Sequence, residues 1–137
     1  MKYVYVIVLM LAAAMTPAFG AEVMVTDFEG ADPGTWQIPD WALEKADHVA
    51  KEIAISKEQA SKGVQSLKVV AAFPGEHWTA AVVESEEPLD FTAQSKIAVD
   101  IYLPKDAPEG LKGNLCVTYG GNWTWAEQLK NVPLVPG

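Results

Sequence analysis

Asp100 and Tyr102 lie two residues apart in Ile97-Ala98-Val99-Asp100-Ile101-Tyr102-Leu103. On an extended strand that spacing puts both side chains on one face, opposite Ile97, Val99, Ile101 and Leu103. A carboxylate beside an aromatic ring can hold a polyhydroxylated ligand: the ring stacks on C–H surface and the carboxylate accepts from hydroxyls. Lys68, Thr79 and Thr118 hold comparable alternating positions. The competing account is a solvated sheet face with a cross-strand Asp–Lys pair.

The chain has five tryptophans, at 36, 41, 78, 123 and 125. At least one of Trp123 and Trp125, directly after Gly120-Gly121-Asn122, is expected to project to solvent or a cleft. Filling of an apolar core is the alternative for both. Trp78 shares its expected strand face with Ala80 and Val82, which favours core packing, and it stays a candidate ligand contact. Trp36 and Trp41 fall in an irregular stretch and are read as covering one end of the fold.

Catalytic signatures are missing from the sequence. Glu84, Glu86 and Glu87 cluster beside Pro88 as a solvated turn would. A glycosidase needs two carboxylates set across a cleft, and no H-E-x-x-H, G-x-S-x-G or phosphate loop occurs. Cys116 is the single cysteine, so no intrachain disulfide can form. In Leu115-Cys116-Val117 it reads as a small half-buried residue of a strand rather than a nucleophile. The expectation is a protein that binds and does not catalyse.

The elements that position these residues begin after a leader. Lys2 gives a positive start, Val4 to Met15 an apolar run, Pro17 a break, and Ala18-Phe19-Gly20 a small-residue cleavage site. Residues 1–20 therefore read as a signal peptide and 21–137 as one domain, secreted or periplasmic. The apolar run is too short to span a bilayer comfortably, so no membrane association is expected after cleavage. With ten lysines, no arginine and 18 acidic residues, the chain carries a net charge of −8. Nucleic acid is excluded as a partner because no basic patch can form.

Period-two alternation recurs after residue 50 and argues for an all-β chain. Leu67, Val69, Ala71 and Phe73 form one inward set, and Trp78, Ala80 and Val82 another. Ile97, Val99, Ile101 and Leu103 make a third, with Leu115, Val117 and Tyr119 a fourth. Turns at Ser61-Lys62-Gly63, Phe73-Pro74-Gly75, Glu87-Pro88, Pro104 to Gly113 and Gly120-Gly121-Asn122 separate them. Such spacing suggests two packed antiparallel sheets, a β-sandwich. A strand is expected from about Ala50 to Ser56, and Trp41 to Asp47 is open between loop and short helix, with Asp40 as a candidate cap. The ending Val132-Pro133-Leu134-Val135-Pro136-Gly137 supplies no final strand.

The order of four segments resembles a known family. Val25-Thr26-Asp27-Phe28-Glu29-Gly30 opens the domain as a strand, and Ala60-Ser61-Lys62-Gly63-Val64-Gln65-Ser66-Leu67-Lys68-Val69 feeds a turn into a second strand. Leu89-Asp90-Phe91-Thr92 and Ile97 to Pro104 follow. Together they resemble the galactose-binding-like jelly-roll carbohydrate-binding modules of bacterial secreted glycoside hydrolases. The likeness runs over residues 23–135.

The resemblance implies a jelly roll that binds a neutral polysaccharide or oligosaccharide on the outward face of one sheet. Asp100, Tyr102, Trp123, Trp125, Trp78 and Lys68 are the candidate contacts. It also implies a structural calcium ion held by Glu29 and Asp27 with carbonyls around Ser61 to Gly63. Such modules close with a further strand bearing an acidic residue, so this chain is expected to lack its last strand. A covalently linked catalytic domain is an expected partner. The other reading is a structural or protein-interaction sandwich whose aromatics all lie in the core.

Overall fold

The computed structural model describes residues 2–7, 23–128 and 130–137. The apolar run beyond Ile7, Pro17 and the expected cleavage site lie outside the described residues. The protein is mostly strand and coil, and its sheets are small and antiparallel.

Among the described residues the main sheet has four strands: β1 (Lys2–Ile7), β3 (Ala50–Ser56), β4 (Ser66–Ala71) and β6 (Asp100–Tyr102), in the order β3-β4-β1-β6. Three two-stranded ribbons pair β2 (Trp36–Gln37) with β5 (Glu84–Ser85), β7 (Lys112–Gly113) with β10 (Val132–Pro133), and β8 (Cys116–Tyr119) with β9 (Thr124–Glu127). One short helical turn, α1 (Asp40–Leu43), lies between β2 and β3.

The core grows from the alternation of β4. Leu67, Val69 and Ala71 are buried, while Lys68 and Val70 point the other way and stay half-buried. Cross-strand pairing sets Ile55 opposite Leu67 and Ile53 opposite Val69, which widens the apolar face. Phe28, Trp36, Ile38, Ala81 and Val83 pack onto it from the other side. Trp36 meets Phe28 edge to face at 5.8 Å, which ties the β2–β5 ribbon to this core. Apolar burial of this kind is the main stabilising term.

Several expectations are corrected. Val23 to Gly30 is not a strand. Thr26 Oγ1 accepts from the Phe28 N–H and Asp27 Oδ1 from the Glu29 N–H, and Phe28 takes a φ of 56°. Those local bonds compete with a ladder and bend the chain, which turns Phe28 into the core. The 78–83 stretch also fails as a strand. Its ordering contact is a parallel bridge between Ala80 and His48, and Ala81 and Val83 face the core instead of Ala80 and Val82.

The third expected strand shortens to the three residues of β6; Ile97 and Val99 are exposed, although Leu103 is 2 % exposed and so buried as expected. Asp40 is the first helical residue, behind Pro39 at the cap, and makes no side-chain cap bond. The tail does contribute a strand, because β10 pairs with β7 and the Gly137 N–H donates to the Leu103 carbonyl.

Candidate functional site

The most developed cluster of exposed aromatics centres on His48. α1 begins as the Ala42 and Leu43 N–H groups close onto the Pro39 carbonyl, and this turn carries Trp41. The chain then folds back, with the His48 N–H donating to Lys45 O. Two short bonds lock it to the next segment: Val49 N–H to Ala80 O at 2.8 Å and Ala80 N–H to Asp47 O at 2.9 Å. Trp78, two residues before Ala80, is thereby brought to His48.

The imidazole meets both indoles edge to face, with centroids 5.1 Å from Trp41 and 5.9 Å from Trp78. His48 is only 7 % exposed, whereas Trp41 is 44 % and Trp78 68 % exposed. Asp47 Oδ1 lies 2.7 Å from His48 Nδ1. That hydrogen bond is the largest cause holding the Asp47 carboxyl below its ordinary value, with partial burial opposing it. The Lys45 ammonium sits 5.0 Å from the Trp41 ring centroid, a cation–π arrangement. The cluster therefore offers two accessible aromatic faces and an ionised, oriented carboxylate around a buried imidazole. Stacking on a flat C–H surface and accepting from a hydroxyl are both within its chemistry.

The expected sheet-face site is only partly assembled. Register runs Ala54–Lys68–Tyr5–Tyr102 across the sheet, so Lys68 and Tyr102 share a row and a face two strands apart. Asp100 is on the same face by alternation, but its Oδ2 accepts from the Ser61 hydroxyl at 2.5 Å. Lys68 Nζ is bound to Glu58 at 2.8 Å. Asp100 and Lys68 are thus engaged with Ser61 and Glu58 respectively. Lys68 and Glu58 border a shallow groove with Glu52, Ala54, Ile55, Ser56 and Val70.

Trp123 and Trp125 stand on the β8–β9 ribbon, apart from that row. Trp123 occupies the turn with a φ of 52°, a conformation uncommon for a bulky residue. It is 72 % exposed and Trp125 60 %. Behind the ribbon, Phe91, Ile97, Leu115, Val117, Tyr119 and Ala126 line an apolar groove. Cys116 is half-buried, as expected. Burial first, and Glu127 second, push its thiol above the ordinary value, the reverse of what a nucleophilic thiolate needs.

The expected calcium region brings the named segments together through hydrogen bonds. Glu29 Oε1 accepts from the Val64 and Gln65 N–H groups at 2.8 and 2.9 Å. The Gln65 side-chain amide donates to the Phe28 and Gly30 carbonyls. Asp27 is turned to its own loop, accepting from the Glu29 N–H. The turn thus presents backbone donors to the Glu29 carboxylate. Among the described residues no group of three His, Cys, Asp or Glu is arranged to hold a metal.

His48 is the residue that sequence reasoning passed over. The available signal was weak: an Asp-His pair six and seven residues beyond Trp41, with Trp78 far along the chain. The Ala80 bridge joins them. Compared with known proteins, the chain matches no family model, no curated protein and no solved structure.

Proposed function

We propose that the protein is an exported, non-catalytic carbohydrate-binding module for a neutral polysaccharide, with its contact surface at Trp41 and Trp78. A single observation carries this reading: two exposed indoles are fixed at one buried imidazole, beside an ionised Asp47. Exposed indoles cost hydration free energy unless something covers them. A sugar ring supplies flat C–H surface for the rings and hydroxyls for the carboxylate. Such binding is modest in affinity and nearly insensitive to salt, since no ion pair forms with a neutral glycan. Trp123 and Trp125, both exposed, supply a second aromatic surface.

Retention on a neutral-glycan array, with titration of tryptophan emission, tests the reading. Trp41→Ala and Trp78→Ala are each expected to weaken binding about tenfold, about 1.4 kcal/mol. Unchanged retention by both variants defeats the assignment of this surface. If no glycan is retained by the parent protein, the apolar groove behind β8–β9 favours the protein-interaction reading instead.

A further inference from the structure

The central strand of the main sheet is made by the first residues of the expected leader. β1 pairs antiparallel with β4 over Lys2↔Ala71 to Val6↔Leu67, and antiparallel with β6 over Tyr5↔Tyr102 to Ile7↔Asp100. β4 and β6 therefore run parallel to one another with one strand between them. Strands pair at about 4.8 Å, so the two walls stand about 10 Å apart and cannot bond directly. Among the described residues β6 stands at the sheet edge, with β1 as its ladder partner.

Two features suit the gap to a strand. Tyr3-Val4-Tyr5-Val6-Ile7 is a run of aromatic and β-branched residues, the types that sheets favour. The walls are also tethered without β1: Ser61, in the loop leading into β4, donates to Asp100 on β6. At one end the spacing is held by that bond, and beyond β6 the buried Leu103 anchors the other wall.

We propose that the space between β4 and β6 is a strand-accepting slot, filled in cis by Lys2–Ile7 while the leader remains attached. The same residues then serve as an export signal and as a provisional sheet strand. Cleavage after Gly20 would take this strand from between its two neighbours. This inference does not rest on glycan binding.

The test uses the full 137-residue chain with its leader intact. Val6 is paired on both sides, to Leu67 and Ile101. Proline there removes an N–H and cannot sit in a central strand. Val6→Pro is expected to speed amide exchange at least tenfold in Ser66–Ala71 and Asp100–Tyr102 while Thr124–Glu127 is unchanged; equal exchange in variant and parent overturns the proposal. Should the proline variant unfold throughout, cross-linking decides. In a Cys116→Ser background, Val6→Cys with Ile101→Cys places two thiols on directly paired residues, within disulfide reach. A cross-linked monomer supports the strand in cis. A cross-linked dimer, or no cross-link, overturns it.

Discussion

Glu29 places its carboxylate where a side chain at Gly63 would have to stand. The two residues are 34 positions apart, and Gly63 holds a φ of 69° at the turn that Glu29 clamps through Val64 and Gln65. An absent side chain thus makes room for a carboxylate that joins the opening loop to β4. Charge-assisted bonds to backbone N–H groups are among the stronger hydrogen bonds.

Gly63→Ala should therefore cost more than its backbone conformation alone. The left-handed region costs a non-glycine residue roughly 1–2 kcal/mol. Displacing Glu29 adds a loss on the order of 1–3 kcal/mol. Gly75 is the control, since it also has a positive φ, 82°, but open space around it. Thermal unfolding of Gly63→Ala and Gly75→Ala is expected to show the larger fall in Tm for the first. Equal falls would mean that the Glu29 clamp contributes nothing.

Asp47 gives a pH dependence of known sign. Its carboxyl lies below the ordinary value, chiefly through the hydrogen bond to His48. A group depressed on folding stabilises the native state above its unfolded value, about pH 4, and loses that contribution as pH falls through the folded value. The effect is small, because Asp47 is 47 % exposed and well solvated. Asp47→Asn is expected to flatten the decline in unfolding free energy below about pH 4. An unchanged acid limb, followed by urea denaturation across that range, would refute it.

How much was legible follows from where bonding is local and where it is not. Ala50–Ser56 was readable because Glu52-Ile53-Ala54-Ile55-Ser56 alternates, and β3 spans those residues. β4 was readable from Leu67, Val69 and Ala71 for the same reason. The 78–83 alternation misled, because orientation there is set by one long-range bridge, Ala80 to His48, which no local period encodes. The opening segment misled in the opposite way: Thr26 and Asp27 bond their own backbone, and the Val-x-Val pattern at residues 23–25 never finds a partner strand. The tryptophans divided similarly. At least one of Trp123 and Trp125 was expected to project after the glycine-rich turn, and both are exposed, while the pairing of Trp41 with Trp78 through a histidine depends on tertiary contact.

Cys116 offers a test of the ribbon pairing that sets its surroundings. β8 and β9 place it directly opposite Glu127, with Sγ 4.0 Å from Oε2, and Asn114 Nδ2 donates to the same carboxylate oxygen at 3.3 Å. Burial is the larger cause of the raised thiol value and the negative charge of Glu127 the smaller. Glu127→Gln removes only the second, so the thiolate fraction at pH 8 should rise modestly. Because nucleophilicity falls as the thiol becomes more acidic, the gain in alkylation rate is partly offset and should be about two- to threefold. Iodoacetamide labelling followed by mass spectrometry reads this directly. A slower rate in the variant would mean that Glu127 does not face the thiol, and that the Cys116–Glu127 register is wrong.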